Sequence, residues 1–142
     1  MSERVDFYIL PDHTAIGRLQ LACRLAEKAF ERGHTVYVQA AAEGQAQQLD
    51  DMLWTFKQNS FVPHARYPCA PDETAPVRIG SGAAPDWEAE VLINLALDVP
   101  DFYQRFQRVA ELVDQEPTVL QASRRRFKFY REQGLQPQTH KL

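Results

Sequence analysis

Arg4 to Ala40 reads RVDFYILPDHTAIGRLQLACRLAEKAFERGHTVYVQA, and this stretch decides the architecture. Arg4–Leu10 alternates polar with apolar residues and then turns wholly apolar, with the aromatic and β-branched content of a strand. Pro11 ends it. From Ala15 to Arg32, apolar side chains recur at Ile16, Leu19, Ala22, Cys23, Ala26, Ala29 and Phe30, one face of a helix. Gly33 stands where a left-handed residue closes such a helix. Thr35–Ala40 reads as a second strand. Strand, helix and strand in so short a span make a βαβ unit, which predicts a parallel pair joined by a right-handed crossover.

Working outward, a second helix is expected over Glu43–Phe56, followed by a stretch from Pro63 to Pro85 that holds five of the nine prolines and reads mostly as loop. Val77-Arg78-Ile79 is a candidate short strand inside it. Glu90–Leu97 (EVLINLAL) is the most apolar run and suits a central parallel strand buried on both faces. Pro100-Asp101 opens a candidate helix, with Phe102, Phe106, Val109 and Val113 on one stripe. Pro117 fits the first turn of a last helix that runs to about Gln133 and stops at Gly134. The expectation is a single α/β domain over residues 1–142, a mostly parallel sheet with helices on both faces.

With 142 residues, 44% apolar and 25% charged, the chain has the composition of a folded globular protein. No run approaches the roughly 20 apolar residues of a membrane helix, and Met1-Ser2-Glu3-Arg4 does not open a signal peptide. The expected compartment is the cytoplasm, with no membrane partner. Cys23 and Cys69 are too few and too far apart for a disulfide framework or a four-ligand zinc site.

Catalytic signatures are weak throughout. The turn after the first strand, Pro11–Gly17, has one glycine, so it is neither a dinucleotide fingerprint nor a P-loop. Gly80-Ser81-Gly82 has no following lysine and reads as a plain turn. The fold is therefore expected to be Rossmann-like without a nucleotide-binding loop. Cys23 lies on the apolar face of its helix, and Cys69 has no neighbouring histidine. His13, His34, His64 and His140 show no metal-ligand spacing. No catalytic residue, metal or cofactor is expected.

Two constellations carry information. Net charge is −3, from sixteen Lys and Arg against nineteen Asp and Glu. Arg124, Arg125, Arg126, Lys128 and Arg131 place five cations and no anion in eight residues, leaving eleven cations against nineteen acids elsewhere, a net −8. On a helix Val119, Ser123, Phe127 and Tyr130 fall on a core-facing arc, while Arg124, Lys128 and Arg131 share another. Leu120 and Phe127 lie at the border between them. Three cations with an apolar and aromatic rim suit an acidic ligand with a hydrophobic end, such as an acidic peptide terminus. The alternatives are an ordinary solvated face, against which the absence of acidic partners in the run speaks, and direct binding of a single-stranded nucleic acid, with Phe127, Phe129 or Tyr130 as stacking platforms. The second constellation is Leu53-Trp54. Leu49, Met52, Leu53 and Phe56 form the buried stripe of the second helix, and Trp54 projects away from it, followed by Phe61-Val62-Pro63-His64. An off-stripe tryptophan is either covered by a neighbouring loop or, beside apolar residues, part of a partner surface.

At these residues the chain resembles the chi subunit family of bacterial DNA polymerase III. The matching stretches are Phe7–Leu10, Leu49-Asp50-Asp51-Met52-Leu53-Trp54 with Ser60–His64, and Arg124 through Arg131 with Gly134. The similarity runs nearly end to end and departs in the Ala65–Asp86 loop. It implies a non-catalytic α/β subunit that links the clamp loader to coated template, so that DNA is met mainly indirectly. It implies psi-subunit binding at Trp54, Phe61 and Val62, with Leu53 beside them, and leaves open a repair helicase at the same surface. It also implies that the C-terminal tail of single-stranded DNA-binding protein docks at Arg124, Phe127 and Lys128, with Val113 and Leu120 as lining and Arg131 on the same cationic arc. Phe127 stands where the family also has tyrosine, which keeps an apolar wall and loses a hydroxyl.

Overall fold

In the computed structural model, residues 2–55 and 61–142 are described. Phe56, expected to close the second helix, and Ser60 of the S-F-V-P-H block lie outside the described residues.

Among the described residues the strands are β1 (Arg4–Ile9), β2 (Val36–Gln39), β3 (His64–Arg66), β4 (Val77–Gly80), β5 (Val91–Asn94), β6 (Arg108–Val113) and β7 (Gln138–Lys141). These seven form one sheet in the order β3-β4-β2-β5-β6-β1-β7, with every paired strand parallel. Three α-helices accompany them among the described residues: α1 (Gly17–Glu31), α2 (Glu43–Thr55) and α3 (Pro117–Glu132). The α/β reading with helices on both faces holds. Against one face, Leu19, Ala22, Cys23 and Ala26 of α1 and Ala46, Leu49 and Leu53 of α2 pack on Val36, Val38, Ile79 and Ile93. Against the other, Val119 and Tyr130 of α3 pack with Val5, Phe7, Tyr37, Leu92 and Val109. Strand alternation sends Val36 and Val38 one way and Tyr37 the other.

Two expectations are corrected. β1 and β2 are parallel members of one sheet but not neighbours, because β6 and β5 lie between them. The segment after Pro100 is not a helix: it is a single 3-10 turn, Tyr103–Arg105, followed by strand β6. The misleading signal was Val109 and Val113, four apart. An even spacing also fits period two, and in β6 Val109 and Val113 share a face with Glu111 while Ala110 and Leu112 turn to the opposite core. β3 and β7 were also not anticipated; β3 has three residues, and β7 is a polar edge strand.

The helix termini follow the sequence closely. Gly33 and Gly134 adopt φ of 81° and 87°, and the Glu116 carboxylate accepts a hydrogen bond of 3.0 Å from the Val119 N–H to start α3. Gly80 is glycine for packing: a Cβ there would collide with the Tyr37 hydroxyl. Ser81 donates to Glu43 at 2.8 Å, so the Gly80–Gly82 turn is held by the protein's own side chains.

Candidate functional site

α3 is anchored by a buried polar network. Glu111, on the middle of β6, is fully buried, and its carboxylate accepts from Arg126 Nε at 2.9 Å, Tyr130 Oη at 2.6 Å and Asn94 Nδ2 at 2.9 Å. Arg126 Nη1 donates to the Leu97 carbonyl at 2.8 Å. Burial pushes the Glu111 carboxyl above its ordinary range, and the Arg126 guanidinium, with the Tyr130 and Asn94 donors, pulls against it. Burial beside Glu111 likewise raises the Tyr130 hydroxyl. Arg126 is thus not one of the solvent-facing cations that the basic run suggested. It is 3% exposed and spends its charge inside.

This anchoring fixes how the rest of α3 faces solvent. Val119, Ala122, Ser123, Arg126 and Tyr130 point inward. Arg124, Lys128 and Arg131 are exposed, and together with Phe127 and Glu132 they line an open depression. Phe127 and Arg131 also line an adjoining hollow against Leu135, Gln136 and Pro137. Phe127 is half-buried and leans on Phe7, with ring centroids 5.3 Å apart. The only ion pair in which Arg124, Lys128 or Arg131 takes part, among the described residues, is Lys128 with Glu132 at 3.8 Å, on an exposed surface. Such a pair is weak and easily exchanged for a better anion.

The expected lining residues divide. Leu120 is half-buried, whereas Val113 is fully buried behind the helix and supports the wall without reaching its surface. Tyr130, offered as a stacking platform for nucleic acid, is fully buried and cannot serve; Phe129 is 37% exposed on the other flank of the helix. Leu135 and Pro137 were missed. They follow the helix stop, and it is the parallel pairing of β7 with β1 that brings them against Phe127.

The second surface forms where α2 ends. Trp54 and Phe61 are 56% and 59% exposed, with ring centroids 5.6 Å apart. Trp54 also lies 4.6 Å from the ring of His64, whose side chain is buried, with Nδ1 2.7 Å from the Val62 carbonyl and Nε2 3.4 Å from Asp50. Leu53 and Val62 are buried beneath the patch, so they hold it in place and do not present surface. Two large aromatic rings are left to solvent together, which folding alone does not favour.

Elsewhere, each histidine has a carboxylate near it: His13 with Asp114, His34 with Glu90, His64 with Asp50 and His140 with Asp6. No group of three or more His, Cys, Asp or Glu among the described residues could hold a metal ion. No helix among them is long and apolar enough to cross a membrane.

The chain is similar to known proteins over nearly its whole length. Residues 1–138 match the family described as DNA polymerase III chi subunit, HolC. A DNA polymerase III subunit chi of Pseudomonas aeruginosa is 48% identical over 139 residues, covering 98% of this chain and 96% of the relative. Proteins of the same description from Escherichia coli and Haemophilus influenzae are 33% and 30% identical, covering 93% and 94% of this chain and the same shares of their own lengths.

Proposed function

The chain belongs to the DNA polymerase III chi subunit family, and from that premise we propose that it is a non-catalytic bridging subunit of the replicative polymerase. One surface, centred on Trp54 and Phe61, would anchor it to the psi subunit and so to the clamp loader. The other, on α3, would hold the acidic, aromatic-ended tail of single-stranded DNA-binding protein. The observation that carries this reading is the open depression in which Arg124, Lys128 and Arg131 surround Phe127 with a single exposed glutamate as counter-charge. Its cations suit carboxylates, and its aromatic wall suits an apolar terminal side chain.

Bridging needs no strong single contact. Tethering raises the local concentration of the polymerase on coated template, so two modest affinities suffice. The work of such a subunit is done in the cytoplasm at the replisome, and DNA is met through the coating protein. A repair helicase that displays a surface like that of psi would compete at Trp54.

The test is a fluorescence titration of the full chain with two probes, an acidic peptide ending in phenylalanine and a bare single-stranded oligonucleotide. Peptide binding that weakens with salt, without comparable oligonucleotide binding, supports the bridge. Tighter binding of the oligonucleotide would favour the direct nucleic-acid module and overturn it.

A further inference from the structure

The opposite face of the sheet from α3 carries a cleft that neither proposed surface uses. It lies between the C-terminal half of α1 and strands β1, β5 and β6, and encloses about 80 Å³. Its floor is apolar, made by Leu25, Ala29, Val91, Ile93 and Ala110. Around that floor stand Lys28 from the last turn of α1, Arg32 just after it, Arg108 from β6 and Tyr8 from β1.

The charges do not balance within the cleft. Asp6 is its one carboxylate, and it is already satisfied: Arg4 Nε approaches its two oxygens at 3.1 and 2.9 Å, and His140 Nε2 lies at 2.8 Å. Arg108 reaches Asp6 only at 3.9 Å. Among the described residues, neither Lys28 nor Arg32 meets a carboxylate. The C-terminal dipole of α1 accounts for a cation in its last turn, but not for Arg108 on the facing strand. An apolar floor with a few convergent polar groups is the lining that ligand sites share, and at this size the cleft suits only a very small ligand.

We infer that this cleft binds a small organic anion, an apolar body lying on Leu25, Ala29 and Ile93 with a carboxylate or phosphate ester held by Lys28, Arg32 and Arg108. The apolar floor gives the body somewhere dry to lie, and the surplus cations give the head a partner that Asp6 does not supply. The site is independent of the tail and psi surfaces, because its lining comes from α1, the turn after it, β1, β5 and β6, and includes none of the α3 residues and none of Leu53, Trp54, Phe61 and Val62.

The probes are benzoate, phenyl phosphate and neutral benzyl alcohol, titrated against the full chain and followed by ¹H–¹⁵N chemical shifts. The expected result is that at least one anion shifts the amides of residues 28–34 and 108–110 saturably. Lys28→Ala with Arg32→Ala should weaken it about tenfold. Both positions are exposed, so the fold survives the change, and unaltered shifts in α3 check this. Benzoate and phenyl phosphate separate a carboxylate site from a phosphate-ester site. Saturable binding of benzyl alcohol with the same affinity, anion binding unaffected by the double variant, or no shift from either anion would overturn the proposal.

Discussion

The Arg126 guanidinium lies 2.9 Å from the Glu111 carboxylate, both side chains are buried, and the pair ties the middle of α3 to β6, the strand between β5 and β1. A buried charge pair is costly to break and cheap to replace whole, because removing one partner leaves the other unsolvated. Its consequence is directional. With Arg126 and Tyr130 held inward by one carboxylate, Phe127 falls at the rim and Lys128 faces solvent.

Arg126→Met alone should therefore cost about 3–5 kcal/mol in urea denaturation, since Glu111 then stays buried without its cation. The double variant with Glu111→Leu should recover much of that loss. A double variant no more stable than the single one would show that the pair is not the unit of stabilisation.

Lys128→Glu should weaken binding of the acidic tail peptide about tenfold, roughly 1.4 kcal/mol, because it reverses an exposed charge in the depression beside Phe127. Capture of psi should be unchanged. Isothermal titration at two salt concentrations reads both, and the difference between wild type and variant should shrink at high salt.

Trp54→Ala should do the reverse. The ring is more than half exposed, so thermal stability should change little, whereas affinity for psi should fall by roughly 2 kcal/mol or more if the residue is an interface anchor. Co-purification and a melting curve on the same sample separate the two effects.

Thiol labelling should distinguish the two cysteines. Burial in the α1 core pushes the Cys23 thiol up to about 12, so at neutral pH it should resist iodoacetamide in the folded protein. Cys69 is partly exposed and should be the residue labelled. Mass mapping after digestion gives the answer directly.

Acid should weaken the start of α3. The backbone N–H groups of Val119 and Thr118 hold the Glu116 carboxyl below its ordinary range. A carboxylate with a lowered folded value contributes stability above its unfolded value, about 4.3, and loses it as pH falls through that value toward the folded one. Denaturation midpoints of wild type and Glu116→Ala should accordingly differ at pH 7 and draw together as pH falls below the ordinary carboxylate range.

Much of this was legible in the chain itself. The apolar run at Glu90–Leu97, the first-turn proline Pro117 and the stops at Gly33 and Gly134 are local signals, and each coincides with an element or its end. Trp54 stood out because it broke the apolar stripe of its own helix, and it is indeed exposed. β6 was misread because Val109 and Val113 satisfy both periods, and only pairing with β1 and β5 on either side selects the strand. β7 was invisible because a polar edge strand has one neighbour and little to bury.

The sequence by itself determined the α/β class, the stops of α1 and α3 at Gly33 and Gly134 and the concentration of positive charge near residue 128, because propensity, capping and periodicity act between residues close along the chain. Only the tertiary structure decided which of those cations faces outward. Arg126 differs from Arg124 and Arg125 in nothing but its angle on α3. What withdraws it from solvent is a carboxylate fifteen residues earlier on another element, and a one-dimensional pattern holds no record of a partner brought near by folding.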